Sequence, residues 1–109
     1  MKVRVTGKQM EIGEALPEKV RGRLEVVIGK HFQGGAETSV VFSHEGSGFR
    51  ADCTTHLEAG VVLKSEGVDM DVHRAFEAAV EHLLKQIRRY KRRLKNHHDK
   101  AKTPRGVGA

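Results

Sequence analysis

Seven of the eleven residues from Lys85 to Lys95 are basic: Lys85, Arg88, Arg89, Lys91, Arg92, Arg93 and Lys95. Side chains of this kind bind oxyanions. Lysine supplies a compact point charge, and the planar guanidinium of arginine forks onto two phosphate oxygens at once. The wider charge distribution points the same way. Residues 85–109 hold ten of the twenty Lys and Arg residues and one of the fourteen acids, Asp99, a net +9. Residues 1–84 hold the other ten bases and thirteen acids, a net −3. The overall charge of +6 is therefore confined to one region, which implies a polyanion bound by that region rather than general basicity.

Other chemistries find less support. Of the seven histidines, His97 and His98 are adjacent, which puts them on different sides of a helix, and no third metal ligand has a suitable spacing. A Cys53, His56 and Asp52 catalytic grouping fails on strand alternation, because Cys53 points away from the face that His56 and Asp52 share. Cys53 reads as a small core residue. Gly46-Ser47-Gly48 reads as a hairpin turn, not a phosphate-cradling loop. One cysteine excludes an internal disulfide and suggests a reducing compartment. Met1-Lys2-Val3-Arg4-Val5 lacks the apolar run of a secretion signal, and no stretch is long enough to span a membrane. A cytoplasmic protein with no membrane partner, cofactor, metal or small-molecule substrate is expected.

The elements that must position the basic run can be read from periodicity. A chain of 109 residues, 38% hydrophobic and without Trp, fits one domain with a core of Val, Leu, Ile and Ala. Lys2–Thr6 alternates as a half-buried strand with Val3 and Val5 inward. Met10 and Ile12 follow in a connection tucked under the core. Leu16, Val20, Leu24, Val27 and Ile28 recur at helical spacing, with Glu14, Pro17 and Glu18 near the start. Gly22 and Gly29 each weaken that helix by about 1 kcal/mol relative to Ala, and Gly34-Gly35 ends it. Three strands follow: Thr38–Ser43, then Phe49–Leu57 with Phe49, Ala51, Cys53, Thr55 and Leu57 on one face, then Val61–Ser65. Two short turns make them an antiparallel meander, which the first strand can join in parallel through the helix. Val72 to about Asn96 forms a second helix almost ~40 Å long, its stripe being Val72, Phe76, Ala79, Val80, Leu83, Ile87, Tyr90 and Leu94. The fold class is α+β in the order β-α-β-β-β-α, with a four-stranded mixed sheet. Residues 1–98 read as the folded domain and 99–109 as a flexible basic tail.

The helix period sorts the cations. Taking Lys85 as zero at 100° per residue, Lys85, Arg88, Arg89, Arg92 and Lys95 fall within roughly 80° on either side. The apolar stripe lies nearly opposite, so burial of the stripe turns these five outward. Lys91 and Arg93 flank the stripe. Glu77 and Glu81 share the outer face upstream, and only Glu81 is placed to pair with Lys85 at i,i+4. A solvated helix face usually mixes signs. Clustered like charges call for a compensating partner, and a nucleic-acid backbone is the usual one. The first helix adds Arg23 and Lys30, seven apart and on one face, so the two helices together can form a basic groove.

Specific residues also carry a resemblance. Thr6-Gly7-Lys8-Gln9-Met10-Glu11-Ile12 with Glu14-Ala15-Leu16, then Phe49-Arg50-Ala51-Asp52-Cys53, resemble the ribosome hibernation-promoting factor and ribosome-associated inhibitor family. Asp71-Val72-His73-Arg74-Ala75-Phe76-Glu77 and Lys85-Gln86-Ile87-Arg88-Arg89-Tyr90-Lys91-Arg92-Arg93-Leu94-Lys95 are similar to that family's second helix. The resemblance covers residues 1 to about 98. It implies two helices on one face of the sheet, loosely like a double-stranded-RNA-binding domain, and no enzymatic activity. It implies binding to the small ribosomal subunit and its rRNA in the mRNA and tRNA channel near the decoding site, which blocks translation and preserves idle ribosomes. The contact residues it implies are Arg23, Lys85, Arg88, Arg89, Arg92 and Lys95, with Lys91 and Arg93 beside them. Lys30 joins them from the groove argument.

Two positions depart from the family pattern. His73 stands where the family often has Tyr, and Gly13 stands where a Ser or Thr helix cap is usual. Long family members carry a further C-terminal domain that pairs ribosomes, and the ending here fits either a short form or the N-terminal part of a long one. The residues alone leave two other classes open: a generic double-stranded RNA or DNA module, and a protein-interaction domain that modulates transcription.

Overall fold

The computed structural model describes residues 2–33, 36–58 and 60–102, with side chains described as far as residue 95. The elements are β1 (Lys2–Gly7), α1 (Ala15–Gly29), β2 (Ala36–Glu45), β3 (Gly48–Leu57), β4 (Val62–Asp69) and α2 (Val72–Lys102). They make an α+β fold with one four-stranded mixed sheet in the order β1-β2-β3-β4. β1 pairs with β2 in parallel, from Lys2 opposite Glu37 to Gly7 opposite Phe42. A parallel pair needs a crossover, and α1 supplies it. The other two pairings are antiparallel.

Alternation puts one apolar face on this sheet. Thr38, Val40 and Phe42 of β2 stand opposite Thr55, Cys53 and Ala51 of β3, and Leu63, Ser65 and Gly67 of β4 continue those rows. Both helices cover this face. α1 buries Leu16, Val20, Leu24, Val27 and Ile28, and α2 buries Ala75, Phe76, Ala79, Val80, Leu83 and Ile87 in the same core. Met10 and Ile12 pack against its margin, as does Phe32. The Thr38 and Thr55 hydroxyls lie 3.1 Å apart and pair with each other inside it.

Several boundaries differ from those the sequence suggests. β2 runs over Ala36–Glu45 rather than Thr38–Ser43. β4 runs to Asp69 rather than stopping at Ser65, and the reason lies in Gly67. A glycine reads locally as a break, yet here it pairs with Ala51 in mid-strand. A Cβ at Gly67 would collide with the Ala75 carbonyl and the Ala79 amide of α2. The bare backbone is what lets the helix sit close on the sheet. α2 in turn runs on through Lys102 instead of ending near Asn96. The remainder of the expected tail, residues 103–109, lies outside the described residues.

The two helices start differently. Gly13 has a left-handed backbone, φ 69°, and Glu14 at the N-cap of α1 makes no side-chain cap bond. α2 is capped by Asp71, whose carboxylate accepts from the His73 amide at 2.7 Å and the Arg74 amide at 3.2 Å. Those amide donors hold the Asp71 carboxyl below its ordinary range. The helix that carries the basic run therefore has the firmer start.

Candidate nucleic-acid interface

α2 lies antiparallel along β4, with Ala75 and Ala79 over Gly67 near its start. Farther on, the His82 Nδ1 meets the Glu66 carbonyl at 2.6 Å, and the Gln86 amide donates to the Lys64 carbonyl. A carbonyl only accepts, so the His82 proton sits on Nδ1. These two contacts occupy carbonyls of β4, an edge strand whose free groups would otherwise invite pairing. Periodicity places His82 and Gln86 one turn apart, which was legible. What they would touch was not, because it depends on where the sheet edge falls.

This docking fixes which way the cations point. Leu83 and Ile87 are wholly buried. Lys85, Arg88, Arg89, Arg92 and Lys95 are all exposed, as are Lys91 and Arg93. Among the residues whose side chains are described, up to residue 95, no carboxylate lies within ion-pair distance of any of the seven, since the ion pairs found there involve Arg23 and Arg50 only. Glu81 does not pair with Lys85. Over its described side chains the helix thus presents an unneutralised cationic face.

One expectation about this helix needs correction. Leu94 was placed on the core stripe, but it is 51% exposed. Tyr90, one turn earlier, is already only half-buried. The buried core has run out by then, and Tyr90 instead meets the segment just past α1, where Phe32 packs on it with ring centres 6.1 Å apart. Beyond Tyr90 the helix outruns the core by about 18 Å at 1.5 Å per residue. Arg92, Arg93 and Lys95 ride on this projecting part, where core burial no longer dictates direction.

The two α1 candidates are not equivalent. Arg23 Nε lies 3.2 Å from both carboxylate oxygens of Glu77 on α2, so its charge is already met within the molecule. Lys30 is exposed just past the end of α1. It gathers with Arg88 and Lys91 around His31, and with burial these charges lower the His31 pKa. Of the two α1 residues expected to line a basic groove, Lys30 thus lies with cations of α2 beside His31, while Arg23 is held in an ion pair with Glu77.

The remaining constellations carry no reactive arrangement. Burial pushes the Cys53 thiol up to about 11, so it stays protonated near neutral pH. Its neighbours along β3, Asp52 and Thr54, point to the open face of the sheet, as does His56. There Arg50 engages Asp52 at 3.0 Å, Glu45 at 3.9 Å and Glu66. Those carboxylates, Asp52 first, raise the guanidinium pKa. Among the described residues no group of three or more side chains is placed to hold a metal. The His97 and His98 side chains lie outside the described part. Among the described residues no helix is long and apolar enough to cross a membrane.

Fold and charge together define a class: a small α+β domain whose long last helix carries a cationic face clear of its core. Comparison with known proteins gives that class a family. Residues 3–95 match the model of the Sigma 54 modulation protein / S30EA ribosomal protein family, and the chain belongs to that family. It is 44% identical over 99 residues to a ribosome hibernation promotion factor of Rhizobium meliloti, covering 91% of this chain and 52% of that one. It is 31% identical to the ribosome hibernation promoting factor of Escherichia coli, covering 89% of this chain and all of that one. Among solved structures it superposes on the N-terminal domain of Thermus thermophilus Protein Y with a TM-score of 0.73 and 27% identity, covering 83% of this chain and 99% of that one. The chain thus spans about half the length of the Rhizobium relative.

Proposed function

We propose that the protein binds the small ribosomal subunit through the outward face of α2, in the mRNA and tRNA channel near the decoding site. Occupying that channel blocks translation and preserves idle ribosomes in the cytoplasm, without chemistry on any substrate. The observation that carries this reading is the run of seven exposed cations from Lys85 to Lys95 with no carboxylate partner among the described residues. Relatives named for ribosome hibernation support it. The five residues of the outward stripe make the main phosphate contacts, and Lys30, Lys91 and Arg93 add to them. Residues 1–98 are the ribosome-binding unit and 99–109 a basic extension.

The test is co-sedimentation with purified small subunits at rising salt. Each neutralised phosphate releases counterions, so log affinity falls against log salt with a slope of roughly −0.7 to −0.9 per contact. Binding at low salt with a slope of several contacts is expected, and failure to sediment with subunits at low salt contradicts the reading. The family description also names modulation of sigma 54, which favours a second reading, an acidic protein partner in transcription. Capture that survives nuclease treatment of the lysate would point there.

A further inference from the structure

Lys91 reaches from the basic helix back to the end of α1. Its Nζ lies 3.4 Å from His31 Nδ1 and 5.7 Å from the centre of the Phe32 ring. Phe32 rests on Tyr90, so the ammonium is held over an aromatic floor. An ammonium only donates, so Nδ1 accepts and the imidazole is neutral with its proton on Nε2. Burial, then the charges of Lys91, Arg88 and Lys30, keep it so by lowering its pKa, and no carboxylate is among the described groups acting on it. Lys30 and His31 follow the C-terminus of α1, where cations suit the helix dipole. The dipole does not account for Lys91, sixty residues away in sequence, or for Arg88. The fold brings these like charges to one point, and an anion would relieve their repulsion.

We propose that Lys30, His31, Arg88 and Lys91 form a seat for one RNA phosphodiester group, and that His31 takes up a proton from solvent as the phosphate binds. This rests on the reading of the protein as an RNA binder. As the anion seats, the Lys91 ammonium turns from Nδ1 to a phosphate oxygen and Arg88 donates to another. Nδ1, released and protonated, then donates to the anion as well. No covalent bond changes, and the seat gains one positive charge against the one negative charge it receives.

The sign of the pH response follows. The free imidazole sits below its ordinary pKa, and the bound phosphate raises it. Between those two values binding takes up a proton, so affinity rises as pH falls through the window, by at most about tenfold per unit of separation. Above both values the imidazole is neutral in either state, and affinity does not respond to its titration.

Two measurements on the full chain test this. The first follows the His31 ring by NMR through a pH titration, alone and with a short RNA duplex, whose phosphodiesters do not titrate in that range. The free midpoint should lie below that of an ordinary histidine and move up with RNA. An unchanged midpoint overturns the seat, whether or not the protein sediments with ribosomes. The second compares affinity for small subunits at about pH 6 and about pH 8, where histidine changes charge. Wild type should bind several-fold tighter at the lower pH, and His31→Gln should flatten that ratio. Equal ratios in the two proteins overturn the seat while leaving ribosome binding intact. Absence of sedimentation by either protein at any pH counts instead against the ribosomal reading, and the duplex titration then decides the seat alone.

Discussion

Ser65 and Thr55 are both buried hydroxyls beside Cys53, yet only one is satisfied. Thr55 pairs with Thr38. Ser65 Oγ is buried with no oxygen or nitrogen partner among the described residues, and the one group it can engage is the Cys53 sulfur, a weak acceptor. A buried polar group left unpaired costs about 1–3 kcal/mol. Ser65→Ala removes the hydroxyl and leaves the fit of β4 against α2 unchanged. It is expected to raise stability by about 1 kcal/mol, seen as a higher denaturant midpoint with an unchanged slope. A lower midpoint would mean that Ser65 has a partner after all. The candidate contact cations divide in the same way. Arg23 has a carboxylate partner in Glu77, and Arg88 has none among the described residues. Sequence spacing treated them alike because a pairing between residues fifty-four apart is a property of the fold, not of either helix.

At the scale of elements, the contact of β4 with α2 sets everything downstream. It aligns the helix, and the helix aligns the cations. Gly67→Ala places a methyl group against the Ala75 and Ala79 backbone, which cannot yield as a flexible side chain would. Overpacking of this kind typically costs 1–3 kcal/mol, about 2 kcal/mol here, and the loss should appear in the thermal midpoint of the domain. An unchanged midpoint would show that the helix sits more loosely than this packing requires. The element order, the inward faces of β1 to β3 and the outward stripe of α2 were legible because each follows from a period of two or 3.6 residues, and the parallel first strand because a helix follows it as a crossover. The extent of β4 was not, because Gly67 reads as a break until a helix backbone lies over it. Leu94 was misplaced for a related reason. Period assigns it a face of the helix, but nothing local says where the covering sheet ends. The His31 cluster was missed because periodicity brings the two helices to one face of the sheet without saying which turn of α2 meets the residues just past the end of α1.

At the scale of the whole molecule, the charge is divided between surfaces. On the open face of the sheet Arg50 is engaged by carboxylates and Lys2, Arg4 and Lys64 are exposed at separate points, while the seven cations from Lys85 to Lys95 crowd one helix on the other face with no carboxylate partner among the described side chains. A polyanion should therefore favour the side of α2, where the cations are densest, and the contact should weaken steeply with salt. The most direct test is the double charge reversal Arg88→Glu with Arg92→Glu. Both side chains are exposed and neither supports the core, so the circular dichroism spectrum and thermal midpoint should stay close to wild type. Sedimentation with small subunits at low salt should be lost, since two phosphate contacts become two repulsions. Normal binding by a folded double variant would contradict the assignment of this helix face as the ribosome-binding surface.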